Sequence, residues 1–253
     1  MKMPLLSLAL LLLAWCFTKP VVAQQTFEKE LPHFTRVYVS DHIDLLLEKG
    51  KSPSTVVSYE NAEAEDIHLE VNGSTLRIFM EGCRRGCRDN QYHNAHVQVH
   101  LNYQILEKLV VMGEQTVEHL GEIRQDSFVL KAFGENEIRL DSIYTQYLKL
   151  SLFGDSQLYT RVGIVNDMIL KTFGDQQVNL ANLAIQNSKV KVFGESELDL
   201  QVHETLRLSV MGDADIQFNG NPWVYRRLVL GEVSISHHNQ RQESSAWGAF
   251  FRW

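Results

Sequence analysis

The chain has 253 residues, and its 24 basic against 31 acidic side chains give a formal charge of −7. That balance argues against nucleic acid as a partner, and beyond the N-terminal leader no apolar run is long enough for a membrane-spanning helix. The hydrophobic share of 44% is that of a chain able to bury a core.

Lys2 is followed by an apolar stretch from Leu5 to Phe17 and then by Val21-Val22-Ala23. This is the pattern of a secretory signal peptide cleaved after Ala23. A lipoprotein reading would use Cys16, but the bulky Trp15 before it fits a lipobox badly. Losing residues 1–23 removes two lysines and no acid, so the mature chain is more acidic still. The expected location is outside the cytoplasm: periplasmic, outer-surface or secreted.

Residues 24–104 are rich in strand signals, including Val37-Tyr38-Val39, Ile43 to Leu47, and two arms on either side of Asn72-Gly73. Asn-Gly between alternating segments predicts a hairpin. Cys83 and Cys87 are the only cysteines after the leader, and an oxidising compartment predicts a small disulfide loop between them. Their spacing is not CxxC, and two cysteines alone make a poor zinc site. His93, His96 and His100 invite a metal reading. Yet Val97, Val99 and Leu101 claim the core side of that strand, which turns His96 and His100 to water.

From residue 105 to 236 the sequence repeats. Seven glycines, Gly113, Gly134, Gly154, Gly174, Gly194, Gly212 and Gly231, recur with spacings of 21, 20, 20, 20, 18 and 19. Before each stands a large apolar residue: Met112, Phe133, Phe153, Phe173, Phe193, Met211 and Leu230. This column is expected to stack in the core. Four residues after each glycine stands an aliphatic one, Val117, Ile138, Leu158, Val178, Leu198, Ile216 or Ile235, predicting a second buried ladder. Alternation such as Leu148-Lys149-Leu150-Ser151-Leu152 has the period of two of a strand with one buried face.

A unit of about 20 residues cannot bury its own apolar face, so successive copies must stack, each strand pairing in parallel with its equivalent one rung away. The predicted fold is all-β: a single-domain parallel β-helix or solenoid spanning residues 24–253. Its six rung intervals cover roughly 29 Å. Leucine-rich repeats and nine-residue calcium-binding repeats are excluded, because LxxLxL and GGxGxD are missing.

The residue after each glycine is always acidic: Glu114, Glu135, Asp155, Asp175, Glu195, Asp213 and Glu232. Neighbouring carboxylates one rung apart repel by about 0.8 kcal/mol even when solvated, so something must favour them. One reading is turn capping and a soluble edge. The other is a line of oxygen ligands for Ca²⁺ or hydroxyl-rich glycans. Residues 237–253 end in an aromatic tail, and Trp247, Phe250, Phe251 and Trp253 would either cap the last rung or dock on a partner.

The segment FTRVYVSDHIDLLLEKG, the hairpin arm GSTLRIFMEG and the iterated strand, glycine and acid together resemble the bacterial family of auto-transporter adhesin head GIN domains. The resemblance covers essentially the whole mature chain. It implies a right-handed-looking β-solenoid in an envelope or secreted protein, without assigned catalytic residues. The turns here read Phe-Gly-Asp or Phe-Gly-Glu where the family often has Gly-Ser-Gly-Asp, which marks a divergent member.

The expected function is a non-catalytic binding or adhesion-like module for an envelope glycan or protein. The rivals are a purely structural scaffold and a polysaccharide-active enzyme. No nucleophile elbow, phosphate loop or HExxH run is present, so no catalytic residue, cofactor or metal site is assigned.

Overall fold

The computed structural model describes residues 24–83, 92 and 94–237. Apart from the 3-10 turn Ala64–Asp66, the regular elements among these residues are strands. The repeat forms one uninterrupted β-stretch, β9 (Gln115–Asn219), that pairs with what precedes and follows it at a nearly constant offset. β8 (Lys108–Met112) lies parallel to Val129 through Phe133, one repeat later. At the other end β10 (Trp223–Leu230) pairs in parallel with Thr205 through Met211, and β11 (Val233–His237) with Ala214 through Phe218. A chain that pairs in parallel with itself one repeat further on is a coil of stacked rungs.

Glycine is required at the corner for two reasons, seen at Gly174. Its φ of 99° is in the region that side chains avoid, and a Cβ there would meet the Gly154 carbonyl oxygen at 2.3 Å. From Gly134 to Gly231 each of these corners packs backbone against backbone, leaving no room for a methyl group, while the Gly113 corner packs against Asp41.

An additional rung was not apparent from the glycine count. β2 (Arg36–Val39) and β3 (Ile43–Lys49) flank a corner made of Ser40, Asp41 and His42, with Val39 opposite Val111 and Leu45 opposite Val117. Asp41 occupies the glycine column. Its Oδ1 accepts the backbone N–H groups of His42 at 3.1 Å and of Glu114 at 3.0 Å, and the left-handed residue here is His42. The other neighbour of this rung comes later in the chain: β6 (Thr75–Met80) pairs in parallel with β2, and β7 (His96–Tyr103) with β3. The rung laid down first is therefore sandwiched between two that follow it.

That threading closes the N-terminal end of the coil. β7 pairs antiparallel with β4 (Ser54–Glu60), which pairs antiparallel with the edge strand β1 (Gln25–Glu30). On the other side β5 (Ile67–Asn72) forms the expected hairpin with β6 through Asn72-Gly73. Charged Glu28, Lys29 and Glu30 sit on the outermost strand, where they discourage pairing with another chain. One apolar core runs from Leu31 to Phe218, uniting the N-terminal strands with the repeat.

The core is lined by the predicted aliphatic column: Val117, Ile138, Leu158, Val178, Leu198 and Ile216 are all at most 2% exposed. The column before glycine is not in the core. Leu152 is buried, so its neighbour Phe153 projects to the opposite face. Phe133 and Met211 are 37% and 43% exposed, and Phe153, Phe173 and Phe193 are half-buried. The expectation of two internal ladders is thus corrected to one internal and one external. The period of two continues straight through the glycine, and large apolar character alone misplaced the phenylalanines.

Candidate functional site

The glycine corner separates two outer faces of different chemistry. The leading face consists of the outward residues one, three and five places before each glycine; the trailing face consists of those one, three and five places after.

Along the ridge of the leading face runs the phenylalanine column. Phe133, Phe153, Phe173 and Phe193 stack with centroids 4.8, 4.7 and 4.8 Å apart and planes within 7° of parallel. The strand spacing of a parallel sheet imposes this separation. Because each ring covers the face of the next, the ladder presents ring edges to solvent. Met112, Met211 and Leu230 extend the apolar strip at its ends.

Beside the strip the leading face is basic. Lys108, Lys131, Lys149, Lys171, Lys189, Lys191 and Arg207 project from it between residues 108 and 211, and no outward position there carries a carboxylate. Lys108 donates to the Tyr38 hydroxyl at 2.7 Å, and Arg77 lies over the same ring. The hydrogen bond from Lys108, aided by the charges of Lys108, Arg77 and Lys131 against a smaller effect of burial, holds the Tyr38 phenol below its ordinary range. Among the described residues, no carboxylate pairs with Lys131, Lys149, Lys171, Lys189 or Lys191.

The trailing face is acidic. All seven carboxylates of the predicted column, Glu114, Glu135, Asp155, Asp175, Glu195, Asp213 and Glu232, are exposed. Capping is visible at Asp213, whose Oδ1 accepts the Glu232 N–H at 3.1 Å. Arg139 is engaged by Glu137 and, seven places after their glycines and so just beyond this face, Arg161 by Asp141. The guanidinium of Arg161, donating to Asp141, holds that carboxyl below its usual range. Arg139, Tyr159, Gln177 and Asn179 border a shallow hollow of about 230 Å³ on this face. Among the described residues, no three His, Cys, Asp or Glu side chains gather as a metal site.

Sequence reasoning missed a third column, inside the corner. Gln115, Asn136, Ser156, Gln176 and Ser196 are buried two residues after their glycines. Ser156 Oγ donates to the Gly134 carbonyl at 3.3 Å, and Gln176 Nε2 to that of Gly154 at 2.6 Å. Ser156 and Gln176 thus satisfy carbonyls at the sharp turn, whereas Ser196 Oγ donates to Thr172 Oγ1 at 3.0 Å and the side-chain amides of Gln115 and Asn136 have no hydrogen-bond partner among the described residues. The signal was present as a small or amide residue at a position whose parity is inward.

One inward position in β9 carries His119, 1% exposed, with Nε2 2.5 Å from the Tyr103 hydroxyl. Burial pulls its pKa down to about 4, against a weaker upward pull from Asp141, and burial raises the Tyr103 phenol. The other strand histidines face outward as expected: His100 lies 3.2 Å from Glu48, and His96 4.0 Å from Asp44. Cys83 is buried, while Cys87, His93, the leader and the tail residues Trp247, Phe250, Phe251 and Trp253 lie outside the described residues.

Solved structures share this fold. A "putative adhesin" from Bacteroides fragilis superposes with a TM-score of 0.74 at 15% identity, covering 86% of this chain and 98% of its own. A "putative adhesin" from Parabacteroides merdae gives 0.64 at 13% identity, with coverages of 85% and 95%. A "putative lipid binding protein" from Parabacteroides distasonis gives 0.64 at 14% identity, covering 85% and 96%. At such identities the likeness establishes the fold alone. Among curated proteins none matches this chain. The family described as "putative auto-transporter adhesin, head GIN domain" matches residues 33–222, so the chain belongs to that family.

Proposed function

We infer that this protein is an exported, non-catalytic binding module of the cell envelope or its exterior, built as one domain over residues 24–253 and engaging a glycan or protein through the outside of the coil. The observation that carries this reading is the segregation of the two faces along an outward aromatic ridge. A scaffold needs its inner ladder, but it has no need of four stacked phenylalanines facing outward or of cations without carboxylate partners. Membership of an adhesin-like family supports the same reading. The purified protein should be retained on envelope fractions and should release no sugar from acidic polysaccharides. Absence of retention would leave only the scaffold, and released unsaturated sugars would make the protein an enzyme.

Three supporting features belong to the proposal. Residues 1–23 act as a cleaved leader, and Cys83 and Cys87 close a disulfide loop suited to an oxidising compartment. The tail residues Trp247, Phe250, Phe251 and Trp253 cover the final rung. Val224 and Val229 of that rung are each 37% exposed, whereas Leu206 and Val210, their partners one rung below, are fully buried. Deleting residues 245–253 should lower the melting temperature and promote oligomers on size-exclusion chromatography. An unchanged monomeric melt would assign the tail to docking instead.

A further inference from the structure

We propose that the leading face is the ligand face, and that it takes an acidic polysaccharide lying along the coil, with its carboxylate or sulfate groups on the lysine columns and its sugar rings against the phenylalanine strip. The proposal rests on the binding-module reading above and adds the face and the ligand class. Three observations point to it.

The first is charge. Every rung from residue 108 to residue 211 places at least one cation on this face and no outward carboxylate, in a chain that is acidic overall. On the trailing face Arg139 already holds a carboxylate partner, and just beyond that face Arg161 does too. On the leading face Lys131, Lys149, Lys171, Lys189 and Lys191 have none among the described residues. Cations one rung apart repel, and an anionic polymer along the columns would relieve that repulsion.

The second is periodicity. Stacked rungs set the cations one step of roughly 4.8 Å apart along the coil axis, staggered between the columns three and five places before glycine, which suits a chain whose charges also recur along its length. A single small anion would use one rung and leave the others unexplained.

The third is the form of the aromatic strip. The rings are stacked on one another with 4.7 to 4.8 Å between centroids, so their faces are occupied and their edges look outward. A nucleobase needs an open ring face to stack on, and this ladder offers none between Phe133 and Phe193. Ring edges carry the positive part of the aromatic quadrupole, which suits the oxygens and anionic groups of an acidic sugar, and with the methionines they form the strip that the sugar chain would cover.

The test uses the mature chain, with polygalacturonate, dextran sulfate, neutral dextran and single-stranded DNA of matched length as probes. Binding to at least one of the two acidic polysaccharides is expected, weakening steeply between 50 and 300 mM salt, with at least about tenfold weaker binding to neutral dextran and DNA. The combined variant Lys131→Gln, Lys149→Gln, Lys171→Gln and Lys191→Gln should lose about tenfold or more in affinity, with its circular dichroism spectrum and melting temperature retained. The trailing-face variant Asp155→Asn, Asp175→Asn and Glu195→Gln should bind at least as well as the parent. Equal binding to neutral dextran or to DNA overturns the proposal. So does an affinity that the lysine variant leaves intact, or loss of self-association as that variant's only effect, which would make the face a contact between copies. Retention on envelope fractions without binding to either acidic polymer would overturn this proposal and leave the module reading standing; retention on neither would overturn both.

Discussion

The aliphatic column four residues after each glycine and the aromatic column one residue before it are equally regular and equally apolar in sequence, yet one lines the core and the other forms a ridge on the surface. Leu158 is 2% exposed, whereas Phe133 is 37% exposed. The two columns are an odd number of positions apart, and in an extended chain an odd separation means opposite faces. Hydrophobicity identifies residues that resist water, and parity decides whether the fold can give them shelter. An outward apolar column that recurs at nearly every rung is therefore better read as a surface for contact than as a packing error.

The sharpest way to break this arrangement is at the corner between the columns. Gly174→Ala should cost more than about 3 kcal/mol, because positive φ strains the alanine and its methyl meets the Gly154 carbonyl. Urea denaturation reads this directly, and a cost under about 1 kcal/mol would mean that the rungs can part at little expense. Next in size is the inner column, where Leu158→Ala should cost about 3 kcal/mol from lost burial and the cavity left behind.

The contrast between inside and outside extends to histidine. His119 is buried with its pKa depressed to about 4, so the fold favours the neutral ring. Its contribution is complete above the unfolded-state value near 6.5 and is lost as pH falls from there towards 4, by about 3 kcal/mol in all. The melting temperature should drop through that window, and His119→Leu, matching Leu140 in the next rung, should flatten this part of the profile. An undiminished acid slope in the variant would place the titrating group elsewhere. The smallest effect belongs to the outer column. Phe153→Ala should cost about 1 kcal/mol, since the stacked ring loses edge and face contacts but leaves no internal cavity. A penalty as large as that of Leu158→Ala would erase the distinction between the two columns.

Much of this architecture is legible in the amino-acid order. The recurring interval, the corner glycine, the alternation through Leu148 to Leu152 and the Asn72-Gly73 hairpin are local patterns with local causes: backbone sterics and the pleat of a strand. The exposed acid column was legible on the same grounds, and so, by parity, was the outward direction of Phe153. What the tertiary structure alone decided is long-range. The rung built from β2 and β3 carries Asp41 in place of glycine and finds its neighbours in β6, β7, β8 and β9, far beyond one repeat along the chain, and no short pattern records such a register. The division of charge likewise emerges only on stacking. Lys131, Lys149, Lys171 and Lys191 stand about one repeat apart with acids between them in sequence, and it is parallel pairing that gathers the lysines on one face and sends the acids around the corner.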